Sequence, residues 1–218
     1  MGKKSRKGQR NKYDPLETMK RTMLSAELEP LARELHEKAC CGSRDVWPEL
    51  SAHGGIHTAP SELKNEFISH ANRGMREAQA KIVERVRSGP DLSASEEILF
   101  RGVADSIAWQ FLGNQLCHAR RLYKEQIPPN LKQSNFDSVV LAAENIVKDH
   151  PDAMPLLADL TSFVQVGDIL ASVPCEGMTL IEVKEGKDHS RLADFMHFQA
   201  DANSDRAMHL FMERRDPT

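Results

Sequence analysis

Apolar residues recur every three or four positions through most of the chain, which is the pattern of helices that bury one face. Prolines, glycines and capping residues such as Asp14, Ser93 and Asn135 divide this pattern into segments. Helices are predicted over residues 14–29, 31–41, 61–87, 96–123 with a break at 113–114, 135–147 and 190 to about 214, with a short helical turn at 156–160. Residues 43–60 contain two prolines and two adjacent glycines, so they are predicted to form a loop.

One stretch, residues 163–187, has the pattern of strands instead. Apolar runs lie on both sides of a turn signal, Pro174-Cys175-Glu176-Gly177, which predicts an antiparallel hairpin. If the turn is centred on Cys175, Asp168 lies opposite Glu182 and Leu170 lies opposite Leu180. The predicted fold class is therefore α+β and mostly helical, with a small antiparallel hairpin or sheet at about 162–186 that is flanked by helices.

The two faces of this hairpin differ in chemistry. Side chains alternate along a strand, so Asp168, Glu182 and Lys184 share one face. The apolar face carries Ile169, Ala171, Val173, Ile181 and Val183. Opposed residues have Cβ atoms roughly 5 Å apart, and opposed like charges destabilise a hairpin. A divalent cation with oxygen ligands would compensate this repulsion; a charged face in contact with solvent is the ordinary alternative.

Gly167-Asp168 on one strand and Glu182-Val183-Lys184 on the next resemble the core of the PD-(D/E)XK nuclease superfamily. The resemblance covers about 25 of 218 residues, and Gly167 stands where the family pattern has proline. It implies that Asp168 and Glu182 hold Mg²⁺ or Mn²⁺, and that Lys184 orients or deprotonates water or offsets developing charge. The implied activity is that of a metal-dependent endonuclease acting on nucleic acid, DNA in preference to RNA. Glu-x-Lys also occurs at 62–64 and 185–187, without this context.

The resemblance also implies a restriction-endonuclease-like core of one helix, three antiparallel strands, a second helix and a fourth strand. Residues 162–166 could supply the first strand, but nothing after the last predicted helix supplies the fourth. Either the core is reduced, or the chain is truncated, or a partner chain or second copy completes the sheet. Many members add an upstream acid, for which Asp105 is preferred because it lies in an otherwise apolar helix; Glu144 is the other candidate.

Charge divides the chain unevenly. Residues 1–12 carry six lysines and arginines and no acid. Removing these six from the 29 basic residues leaves 23 against 32 acidic residues, a net charge of −9 for the remainder. The predicted organisation is a disordered basic tail over 1–13, a helical region over 14–90 and a nuclease-like core over 91–218. The tail is either a nucleic-acid arm or a solubilising terminus.

Composition leaves other functions open. No apolar run approaches the roughly 20 residues that span a bilayer, and the four cysteines form no disulfide framework, which favours the cytoplasm. His53 and His57 could ligate a metal, although a flexible loop without a ligand is the alternative. The chain could also be a catalytically inactive nuclease-like module that binds nucleic acid or protein, or a helical interaction protein.

Overall fold

The computed structural model describes residues 25–89, 91–124, 126, 128–131, 135–173, 177–183 and the backbone of 196–198. Its helices are α1 (Glu29–Cys41), α2 (Trp47–Ala52), α3 (Ser61–Ser88), α4 (Ala94–Phe111), α5 (Leu116–Leu122) and α6 (Phe136–Asp149). Its strands are β1 (Met154–Leu157), β2 (Ile169–Val173), β3 (Gly177–Ile181) and β4 (Met196–Phe198). The predicted class is confirmed, because helices predominate around a small antiparallel sheet.

Local sequence signals account for the helix ends. Pro30 lies in the first turn of α1, where its missing N–H costs nothing. Ser93 and Glu96 form the predicted capping box at the start of α4. Gly113 and Asn114 both adopt positive φ and separate α4 from α5, as predicted. The prediction of a loop over 43–60 was wrong in part, because Pro48 in the first turn of α2 favours a short helix there.

Helices α1 and α3 pack closely because two glycines lie where they meet, Gly42 directly after the end of α1 and Gly74 within α3. A Cβ atom on Gly42 would lie 3.0 Å from the Cα atom of Gly74, so neither position has room for a side chain. The buried core continues from these helices through α4 and α6 to the strands, and Phe100 and Leu156 are among its fully buried side chains. This core cluster contains residues from both sides of position 90.

The four strands form one antiparallel sheet in sequence order, β1-β2-β3-β4. Leu170 pairs with Leu180 and Ile169 with Ile181, so the register predicted for the hairpin is confirmed. Leu170 and Leu180 are nevertheless buried, as are Ile169 and Ile181 on the other face. Both faces of the strands are therefore covered, and a hairpin face open to solvent along its length is excluded. Among the described residues of the hairpin, Glu182 is exposed and Asp168 is half-buried at the end opposite the turn.

Two strand predictions were wrong, and a neighbouring helical turn was predicted correctly in part. The first strand is β1 and not residues 162–166. The short helical turn predicted at 156–160 is present as the 3₁₀ turn Ala158–Leu160, whereas Leu156 and Leu157 end β1. The run Met154–Leu157 is apolar throughout, and such a run does not distinguish strand from helix. A fourth strand exists within the helix predicted over 190–214, because the backbone of Met196–Phe198 pairs with the edge of β3. Pairing with an open sheet edge outweighs a weak helical periodicity there.

Polar side chains of α3 cover the outer edge of β1. Asn72 donates to the carbonyl of Asp152, Arg76 donates to the carbonyl of Ala153, and Gln79 bonds both Pro155 and Leu157. These positions follow one another at helical spacing, so one face of α3 satisfies an edge strand that would otherwise expose unpaired backbone groups. Among the described residues, no helix combines the length and apolar character needed to cross a membrane.

Candidate functional site

The open end of the hairpin is the end opposite its turn, and it begins at Gly167. The backbone conformation of Gly167 fixes the start of β2. Gly167 has a φ of +70°, and a Cβ atom there would lie 3.1 Å from the carbonyl oxygen of Ile181. Glycine alone adopts this conformation without strain at such a close approach. Proline, which the nuclease pattern has at this position, is held near −65° and could not take its place without a backbone change. The residue before Asp168 therefore departs from the family pattern in conformation as well as in identity.

Asp168 is held by three hydrogen bonds at the junction of β1, β2 and β3. Its N–H donates to the carbonyl of Ile181 at 2.8 Å, and its carbonyl accepts the N–H of Ala158 at 2.8 Å. Its carboxylate oxygen Oδ2 accepts the N–H of Val183 at 2.6 Å. Val183 is the middle residue of Glu182-Val183-Lys184, so the carboxylate is bound directly to the backbone of the Glu-x-Lys motif. Lys184 itself lies outside the described residues.

The electrostatics at Asp168 oppose its ionisation. Burial raises the pKa of its carboxyl, the Val183 N–H lowers it, and the carboxylates of Asp159 and Glu182 raise it further. The net shift is upward from the ordinary value of 3.8. A half-buried carboxylate near two others of the same charge is therefore destabilised when ionised, and an added cation would relieve it.

Asp159 is an acid of this site that the sequence did not predict. It lies in the 3₁₀ turn that follows β1, next to Ala158, whose N–H binds the Asp168 carbonyl. The sequence did offer one signal, since Asp159 directly follows an apolar run of strand length, Met154–Leu157 with Ala158. Interpreting that run as a helical turn concealed the placement of an acid at the end of a strand.

Asp105, the predicted upstream acid, is engaged elsewhere. Its two carboxylate oxygens accept the N–H and the hydroxyl of Ser162 at 2.7 Å and 2.6 Å. One helical turn earlier, Arg101 donates to the carbonyls of Asp159 and Thr161. Two residues of α4 thus hold the segment that carries Asp159. Asp105 positions the loop, and its two oxygens are already bonded without a metal.

Glu144, the other candidate acid, lines a groove of about 560 Å³ between α3, α6 and β1. The walls of this groove are mainly apolar, with Val83, Val140 and Leu157 among them, and Arg76 and Arg87 are also part of its lining. Glu144 is exposed at this groove. It is not among the groups that affect the pKa of Asp168.

The described carboxylates at the hairpin fit Mg²⁺ or Mn²⁺ in donor type, because both ions prefer oxygen ligands and carboxylates above all. They are not gathered into a finished shell. Within the described part of the chain, ligand atoms of three histidine, cysteine, aspartate or glutamate residues lie within 4.8 Å of one another at His36, Glu37 and Cys41 alone. His53 and His57, the predicted histidine pair, are not in such a group.

Comparisons of the chain with protein-family models, with curated proteins and with solved structures give no match.

Proposed function

We propose that the chain hydrolyses phosphodiester bonds in nucleic acid, DNA in preference to RNA, with a divalent cation bound at the open end of the hairpin. One observation carries this proposal: the Asp168 carboxylate binds the N–H of Val183 within Glu-x-Lys, while Asp159 and Glu182 add negative charge beside it. A half-buried carboxyl whose pKa is raised by neighbouring carboxylates is typical of sites that bind a cation or a proton.

In this proposal Asp168 and Glu182 hold Mg²⁺ or Mn²⁺, and Asp159 contributes further negative charge. The bound cation would supply Lewis-acid polarisation of the scissile phosphate. The Asp168 backbone is bonded to Ala158 and Ile181, and its carboxylate is held by the Val183 N–H. Lys184 would orient or deprotonate the attacking water, or offset the charge that develops on the phosphate. The basic arm would bind phosphates without sequence preference, and the chain would work in the cytoplasm.

A cleavage assay on Lys184→Ala tests the proposal. With Mn²⁺ or Mg²⁺ present, we expect this substitution to lower the cleavage rate by about 10²-fold or more, the usual cost of removing one charge-stabilising donor. Metal binding should persist, because the amine is not a ligand. Lys64→Ala and Lys187→Ala alter lysines of the two other Glu-x-Lys sequences and serve as controls. If all three variants cut like the parent, the site assignment is wrong.

A second candidate function, nucleic-acid binding without cleavage, is favoured by two observations. Gly167 departs from the family pattern in conformation, and the hairpin carboxylates are not gathered into a three-ligand shell. In this case the basic arm contributes affinity in the presence of EDTA. Deleting residues 2–12 removes six cations and should weaken binding and flatten the log–log salt slope by at most about 5. Binding that is equally tight at low salt after the deletion would make the arm a solubilising terminus.

A further inference from the structure

Three side chains of the kinds that bind zinc meet near the end of α1. His36, Glu37 and Cys41 each offer one ligand atom, and all three atoms lie within 4.8 Å of one another. His36 and Glu37 are exposed and Cys41 is half-buried, so a cation could enter from solvent. None of these residues belongs to the hairpin site.

Helix geometry explains why Glu37 and Cys41 meet, because residues four positions apart lie on the same side of α1. His36 directly precedes Glu37, and its ligand atom also lies within 4.8 Å of the other two. The site is at the C-terminal end of the helix, where the backbone carbonyls carry partial negative charge and favour a cation. His36 and Cys40 are also four positions apart, yet Cys40 is not part of the group.

We propose that His36, Glu37 and Cys41 bind one Zn²⁺, with water at the remaining position. Thiolate, imidazole and carboxylate are the three ligand types that zinc uses in proteins, and three protein ligands with an open fourth position are the arrangement of reactive zinc sites. A thiolate ligand excludes Mg²⁺, which requires oxygen ligands. Binding releases the thiol proton of Cys41 to solvent. This site differs from the proposed Mg²⁺ or Mn²⁺ site in both place and metal.

Arg44 competes with a cation for the same group. Its guanidinium pairs with the Glu37 carboxylate at 3.0 Å. The hydrogen bond to Glu37, followed by the nearby thiol of Cys41, raises the pKa of Arg44. The guanidinium thus already pairs with one of the three donors and lies near a second, so Zn²⁺ must displace it from Glu37.

Titration of the reduced full-length protein with Co²⁺ tests the three ligands, because thiolate-bound Co²⁺ absorbs in the near ultraviolet. We expect the parent to develop this band and Zn²⁺ to abolish it by displacement. Cys41→Ser should eliminate the band, and His36→Ala should weaken Co²⁺ binding by at least about tenfold, a loss that even outer-shell substitutions can cause. A parent without the band would overturn the proposal.

Matched controls separate this site from its neighbours. Cys40→Ser and Cys117→Ser alter two exposed cysteines outside the group and should retain the band. Loss of the band in Cys40→Ser, or its retention in Cys41→Ser, would overturn the assignment. Asp168→Asn should leave the band unchanged, so failure of the hairpin proposal does not affect this result.

Arg44→Gln tests whether the guanidinium competes with the metal. Removing the competing guanidinium should tighten Co²⁺ and Zn²⁺ binding by up to about fivefold, the factor that corresponds to the strongest exposed ion pairs. Circular dichroism of the variant checks that α1 remains folded. Unchanged or weaker binding would overturn the inference that the metal displaces Arg44 from Glu37.

Discussion

Two acidic side chains, Glu96 at the start of α4 and Asp168 at the start of β2, lie in opposite electrostatic environments. One carboxylate oxygen of Glu96 accepts the N–H and the hydroxyl of Ser93, and the other pairs with Arg85 at 2.7 Å. The Ser93 N–H, more than any other group, lowers the pKa of Glu96. Asp168 receives one N–H, from Val183, and its pKa is raised by burial and by two other carboxylates.

The difference separates an acid whose charge stabilises the fold from one whose charge destabilises it. Glu96 completes a capping box and compensates the free N–H groups of a helix, so its charge has a structural purpose. Ionisation of Asp168 lowers the stability of the fold, and residues with this property are concentrated at functional sites. Asp105 resembles Glu96 in this respect, because both of its carboxylate oxygens accept hydrogen bonds from Ser162. This contrast makes Asp168 the first residue to test for a bound cation.

The largest effect is expected at Gly167, which sets the position of Asp168. Gly167→Ala places a Cβ atom at a φ of +70° and 3.1 Å from the Ile181 carbonyl oxygen. We expect a loss of about 2 kcal/mol in the free energy of unfolding, since left-handed conformations cost L-residues ~1–2 kcal/mol before any clash. Urea denaturation measures this loss. It should be accompanied by loss of any cation-dependent stabilisation, because Asp168 moves with its neighbour.

Gly102→Ala is the matched control for that substitution. Gly102 lies within α4, and a Cβ atom there would meet nothing within 4 Å. Alanine should therefore stabilise the protein by about 0.5–1 kcal/mol through its higher helix propensity. If both substitutions destabilised the protein equally, the positive φ of Gly167 would not be what sets the position of Asp168.

The sequence predicted the hairpin register because two apolar runs flank a strong turn signal. With the turn centred on Cys175, Leu170 lies opposite Leu180, as the structure confirms. It did not predict β1. The run Met154–Leu157 lacks alternation because both its faces are buried, and it includes Pro155, which is tolerated because β1 is an edge strand. Asp159 was missed for the same reason, since its role depends on where β1 ends.

Neither the partner of Asp105 nor the fourth strand could be inferred from local pattern. Ser162 lies 57 positions beyond Asp105, and their hydrogen bonds depend on how α4 packs against the segment after β1. The strand at Met196–Phe198 exists through pairing with the β3 edge, a tertiary interaction that helical periodicity does not encode. The sequence thus predicted the hairpin register, which depends on residues close together in the chain. It did not predict contacts between residues that are far apart in the chain.

A smaller effect, with a defined pH dependence, is expected for Glu96→Ala. The substitution removes the hydrogen bonds to Ser93 and the pairing with Arg85, so we expect a loss of about 1 kcal/mol at neutral pH, as for other helix caps. The pKa of Glu96 is lowered from 4.5, so the stabilisation is fully present above 4.5 and disappears as pH falls through the lower, folded value. Parent and variant should therefore converge in acid, as measured by urea denaturation at several pH values.

Glu66→Ala is the control for the capping residue. Glu66 is an exposed residue of α3, and its replacement should change stability by no more than about 0.5 kcal/mol. A pH-dependent loss of the same size in this variant would show that removal of any surface carboxylate, and not the capping box, causes the effect.

The smallest change in stability, and the most informative, is expected for Asp168→Asn without metal. Asparagine keeps the shape and an oxygen that can accept the Val183 N–H, but it removes one charge from a crowded group. The pKa of Asp168 is raised above 3.8, so its ionisation destabilises the parent increasingly as pH rises from 3.8 through the folded value. At neutral pH the variant should equal the parent or exceed it by up to about 1 kcal/mol.

Added Mn²⁺ or Mg²⁺ should reverse the order of the two proteins. A cation that binds only the folded state stabilises the parent by mass action, whereas the variant lacks a charged ligand and should lose most of this response. Thermal melts with EDTA and with millimolar Mn²⁺, repeated in Cys41→Ser to remove the proposed zinc site, measure both effects. A parent without a cation-dependent shift, or a variant that shifts equally, would leave Asp168 as a strained structural residue and remove the basis for metal-dependent cleavage at the hairpin.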